Sequence, residues 1–225
     1  MARTVIAFSL AALAAALPMG QSQPRPSQSP APSRTVEKQS VLSTALPRVR
    51  VDIAPAFRFL GRVPFTIRDV AAGERLVFAE IEGTRIRRMF VLQFEGYLPH
   101  IDQTYRYDFT NAETIGGLRW RSNAFAYAVP APAAGASARE AGVMHEWLRA
   151  RGYTTPPVQL MYRFLTLGDE RRRDELILFY LEGSDDQTWL ADMNSNTPRW
   201  RQRAAELEAA ARRSFTVSPV PGPGV

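Results

Sequence analysis

The chain has 225 residues, no cysteine, 28 basic residues against 22 acidic ones, and a net charge of +6. A cysteine-free chain has no disulfide framework, thiol nucleophile or thiolate metal site, and cannot carry a cysteine-anchored lipid. Nearly all the positive charge is arginine, with Lys38 the single lysine, and it is dispersed rather than gathered on one helix or face as in a nucleic-acid-binding domain. The only adjacent basic residues are Arg87–Arg88, Arg171–Arg173 and Arg212–Arg213, and acids bracket the triplet.

Met1, Ala2 and Arg3 precede an apolar run from Val5 to Leu17 that breaks at Pro18. A short positive start, about 7–15 apolar residues and small residues after them make a secretory signal peptide. Residues 1–22 are assigned to it, with cleavage between about residues 16 and 23, and the mature chain is expected outside the cytoplasm, periplasmic or extracellular. The run is too short for a spanning helix of about 20 residues, and none is expected in the mature chain. A retained N-terminal anchor is the alternative. Residues 23–47 are rich in Pro, Ser and Gln and read as a disordered tether. Residues 48–217 form one domain, and 218–225 a disordered tail. About 170 residues are enough for a self-sufficient core.

Within the domain, weak strands are expected at Phe57–Leu60, Val63–Val70 and Arg75–Ile81, with turns at Ala71–Glu74 and Glu82–Thr84. From Arg85 to Leu98 the apolar residues alternate. Ile86, Phe90, Leu92 and Phe94 share a core face, while Arg87, Gln93 and Glu95 share the other. Further strands are expected at Tyr105–Phe109 and Leu118–Val129. A helix follows, capped by Ser137 with Glu140 three residues on, carrying Ala141, Met144 and Leu148 on one face and ending at Gly152. Val158–Leu167 and Glu175–Leu181 read as two antiparallel strands, the second buried on both faces. A last helix over Pro198–Ser214 is capped by Thr197, with a stripe of Trp200, Ala204, Leu207, Ala211 and Phe215. This order predicts an α+β fold: a mostly antiparallel, curved sheet of about seven or eight strands, with two helices packed on one face.

No motif for catalysis, metal or nucleotide is complete. His145–Glu146 begins H-E-x-x-H, but the second histidine position holds Arg149, so zinc is not supported and His145 reads as a partly exposed helix residue. Asp192, Asn194 and Asn196 open like a calcium loop, yet Thr197 and Arg203 stand where glycine and glutamate are needed. Ser137 lacks the strand and second glycine of a nucleophile elbow. No metal and no cofactor are expected. The one polar cluster is the loop holding His100, Asp102 and Asp108, the weak candidates for catalysis. Tyr105, Tyr107 and Trp120 are the weak candidates for ligand contact. The leading expectation is a non-enzymatic exported domain that binds an apolar or amphiphilic small molecule or an envelope partner. The alternatives are a cofactor-free hydrolase using the His100–Asp102–Asp108 loop and an adhesive module for anionic envelope polymers. Nucleic acid is not an expected partner.

Overall fold

The computed structural model describes residues 33–131 and 140–222. The expected signal peptide and the Ser137–Glu140 cap therefore lie outside the described residues.

Two antiparallel sheets carry the fold, which is α+β as the element order predicts. The smaller sheet is built from β1 (Arg34–Glu37), β2 (Ser40–Ser43), β3 (Val49–Ile53) and β11 (Phe215–Pro219), in that spatial order. The larger holds β4 (Arg58–Ile67), β5 (Ala71–Glu82), β6 (Arg85–Tyr97), β10 (Asp174–Ser184), β9 (Val158–Leu167), β8 (Leu118–Ala128) and β7 (Glu113–Ile115), again in spatial order. Among the described residues three helices complete it: α1 (Glu140–Arg149), α2 (Thr188–Asn194) and α3 (Pro198–Arg212).

The smaller sheet corrects both ends of the expected domain. β1 and β2 fall inside the stretch read as a tether, and β11 extends to Ser218 and Pro219, read as tail. Lys38 turns β1 into β2 with a positive φ of 56°, and Val41 is fully buried. A few alternating apolar residues suffice because Val51 and Val217 pair across the next strands and bury with it.

One face of the large sheet presents Leu76, Phe78, Phe90, Leu92, Phe94, Phe164, Leu176, Leu178 and Tyr180 to the small sheet and to α3. Phe215 locks the layers together, its ring centroid 5.4 Å from that of Phe90 and 5.2 Å from that of Phe164. Phe215 lies in β11 and not on the expected helix stripe, since α3 ends at Arg212. Otherwise α3 follows its sequence signals: the Thr197 hydroxyl accepts from the Trp200 amide at 3.2 Å, Pro198 opens the first turn, and Trp200, Leu207 and Ala211 are buried. The short α2 has no fully buried residue, and only Trp189, Leu190 and Met193 pack partly buried against this core, too brief a pattern to read as a helix.

The opposite face holds Val63, Val77, Ala79, Met89, Val91, Met161 and Leu181, packed against Met144 and Leu148 of α1. The helices thus cover both faces, which corrects the expectation that they share one. Ile86 also belongs to this second face, contrary to the simple alternation. The β5–β6 register shifts between Glu80 and Ile81, so one extra β6 residue reverses the faces beyond it. One expected turn moves and one expected strand is absent. Ala71–Glu74 lies inside β5, the chain reversing instead at Arg68 and Asp69, both at positive φ. Tyr105–Phe109 forms no strand: Arg172 donates from Nε to the Tyr105 carbonyl at 2.8 Å and from Nη2 to the Tyr107 carbonyl at 2.9 Å. A side chain thereby meets backbone groups that a neighbouring strand would otherwise satisfy.

Candidate functional site

The second face of the large sheet is wider than its cover. Seven strands at about 4.8 Å spacing span roughly 29 Å, whereas a ten-residue helix is only about 15 Å long. α1 docks toward the β4 side, where Gly61 at φ +146° lets the Trp147 ring approach; a Cβ there would meet the ring at 2.9 Å. Gly152, at φ +79°, ends the helix with a Tyr153 amide bond to the Leu148 carbonyl at 3.1 Å. This fixed, short helix leaves a cleft of about 330 Å³ beside it.

The cleft floor is made by β6, β10, β9 and β8. Val91, Phe179, Leu181, Met161, Phe125 and Tyr127 project from it, and Met144 of α1 forms a wall. Ala128 is exposed and marks where the cleft meets solvent. The lining is apolar except at its two ends, the composition expected of a small-molecule site.

Arg75 and Gln93 close one end. Both are buried, Arg75 at 4% exposure, and their strands place them directly opposite each other. Arg75 donates from Nε to Gln93 Oε1 at 2.7 Å, and its guanidinium lies 4.4 Å from the centroid of the Phe65 ring. Gln93 donates from Nε2 to Glu95 Oε2 at 2.8 Å. The Tyr105 hydroxyl donates to Glu95 Oε1 at 2.8 Å, so four side chains form one chain from the cleft to the 98–112 loop. Burial, reinforced by the Glu95 carboxylate, pushes the Tyr105 phenol up, and it stays protonated.

Tyr127 lines the other end, with His145 bonded to it. The Tyr127 hydroxyl is 3.0 Å from Nε2 of His145, and the Thr155 hydroxyl is 3.3 Å from Nδ1. His145 is only 1% exposed, which corrects its reading as a partly exposed helix residue. Burial, with lesser contributions from Arg149 and Arg75, lowers its pKa to about 4. The ring is therefore neutral at pH 7: one nitrogen donates, the other accepts, and the two hydroxyls can complement either tautomer.

The sequence-derived candidates divide. His100, Asp102 and Asp108 are all exposed on the 98–112 loop, and among the described residues no hydrogen bond or ion pair joins them. Asp108 instead accepts from the Thr110 amide at 2.8 Å and from its hydroxyl at 2.6 Å, a local turn that holds its carboxyl below the usual range. Trp120 is fully buried in the opposite core, its Nε1 donating to the Ile115 carbonyl at 3.0 Å. Tyr105 stacks between Tyr97 and Tyr107, with centroids 4.6 and 5.8 Å away, and reaches the cleft only through Glu95. Asp192 binds the Thr197 hydroxyl at 3.0 Å and Arg199 at 2.9 Å, serving the α2–α3 turn. Among the described residues no cluster of acids and histidines is arranged to hold a metal ion.

No family model, curated protein or solved structure matches this chain. Its chemistry must be read from the cleft.

The residues that matter there were hidden in plain alternation. Gln93 and Glu95 read as the face of a strand opposite the core, and Arg75 only as the start of a weak strand. Their signal was the apolar face of α1: Met144 and Leu148 require a partner, and the only free sheet face was the one carrying those polar residues.

Proposed function

We propose that the protein is a non-enzymatic binding domain that takes an apolar or amphiphilic small molecule into the cleft between α1 and the large sheet. The single observation that carries this reading is a cleft of about 330 Å³, lined by Val91, Phe125, Met144, Met161, Phe179 and Leu181 and bounded by buried polar groups at its ends. That volume is at the small end of the range for ligand sites, about 300–1,000 Å³. Two methionines in the lining give it side chains that adapt to irregular shapes. The apolar start of the chain, Val5–Leu17, supports export and a working place outside the cytoplasm.

Neither alternative draws support from a specific contact. The hydrolase reading needs His100 beside a carboxylate, and the polymer-binding reading needs a continuous basic surface. Many arginines are instead interleaved with acids, as in Arg62–Glu74, Arg85–Asp185, Arg199–Asp186 and Arg212–Glu113.

The test is native mass spectrometry of the chain after incubation with an organic extract of its host. The expected result is a discrete added mass that disappears on denaturation and is absent from a Met161→Trp variant, whose indole would occupy the cleft. A bare mass, or the same added mass on the variant, overturns the proposal.

A further inference from the structure

We infer that the cleft selects an uncharged ligand: a medium-chain or monocyclic apolar molecule carrying at most a hydroxyl or carbonyl oxygen. This rests on the cleft being a binding site, and it narrows what the site accepts.

The charges at the cleft are already satisfied within the protein. At the Arg75 end, cation and carboxylate are joined through Gln93, by bonds of 2.7 and 2.8 Å, and Tyr105 closes the chain on Glu95 at 2.8 Å. An incoming carboxylate would compete with Glu95 in that chain, and an incoming ammonium would lie beside Arg75. At the other end stands the Tyr127 phenol, bonded to the uncharged His145 imidazole. Burial holds His145 near pKa 4 and pushes Tyr127 up, so both are neutral at pH 7. Between the ends the lining is hydrocarbon and thioether. Burying an ion without its own partner is far costlier than burying a polar group that keeps one hydrogen bond. The Tyr127 hydroxyl and the Gln93 amide, both on the cleft lining, can each share a bond with a ligand oxygen without changing charge.

Size sets the other limit. The cleft is roughly twice an apolar cavity of about 150 Å³, which holds a benzene-sized molecule. A chain of about ten carbons, or one ring with a short substituent, matches it.

Calorimetric titration of the full chain at pH 8 with 1-decanol, decanoate and decyltrimethylammonium tests the inference. The expected result is that 1-decanol binds at least tenfold more tightly than either ion. An Ala128→Trp variant, altered at an exposed position where the cleft opens, should lose at least tenfold in 1-decanol affinity. Decanoate or the ammonium binding as tightly as the alcohol overturns the selectivity and leaves the cleft as a site. No binding by any of the three, or 1-decanol binding indifferent to Ala128→Trp, overturns the cleft reading and this inference with it.

Discussion

His145 and Tyr127 meet at 3.0 Å inside the second core, from α1 and β8, and neither carries charge at pH 7. The pairing ties α1 to the sheet beneath it, and it makes stability depend on pH.

Because the folded pKa of His145 is about 4 and an unfolded histidine titrates near 6.5, the unfolded chain binds the proton first on acidification. This residue therefore leaves stability untouched above about pH 6.5 and removes it progressively as pH falls toward 4. The full loss is about 3 kcal/mol. Urea denaturation from pH 8 to 4 should show that decline. A His145→Gln variant should be less stable at pH 8 and should lack the part of the slope between pH 6.5 and 4. An unchanged slope in the variant would assign the decline to other groups.

Gln93 bridges a buried cation and a buried carboxylate, accepting from Arg75 and donating to Glu95. Gln93→Met keeps the volume and removes both bonds. Hydrogen bonds to charged groups contribute about 1.5–3 kcal/mol each, and partial compensation lowers the sum, so a loss of about 2–4 kcal/mol is expected in urea unfolding. A change below about 0.5 kcal/mol would mean that the bridge does not contribute to stability.

Gly73 and Gly83 both lie in the β5–β6 hairpin and should respond differently to alanine. A Cβ at Gly73 would overlap the Phe94 carbonyl oxygen and come within 2.8 Å of the Phe65 ring, so Gly73→Ala should cost more than about 3 kcal/mol. Gly83, at φ +60° in the tight turn, has no atom within 4 Å of that position. Gly83→Ala should cost only the left-handed backbone, about 1 kcal/mol. Thermal unfolding of the two variants gives the comparison, and equal losses would contradict this register.

The sequence carried the fold class and most of the strands, because alternation and turn residues act locally. It carried α3 to within two residues, since Thr197, Pro198 and the Trp200–Leu207–Ala211 stripe are independent signals that agree. It did not carry the small sheet, whose strands of four or five residues are too short for a period to emerge and gain their burial only from one another. Nor did it carry the cleft. A bulge near Ile86 reversed the apparent core face there, and Gln93 and Glu95 are buried in a network with Arg75 of the neighbouring strand and Tyr105 of the distant 98–112 loop. The candidate loop illustrates the converse: His100, Asp102 and Asp108 are near in sequence, but an extended loop strapped by Arg172 and Arg173 does not converge them.

The most direct test of the account is a methyl NMR titration of the full chain with 1-decanol. The account predicts saturable shifts at Val91, Met144, Met161 and Leu181, which line or wall the cleft, and none at Val51, Val217 or Leu207 in the opposite core. Shifts spread over both cores, or confined to the Val51 side, would contradict it.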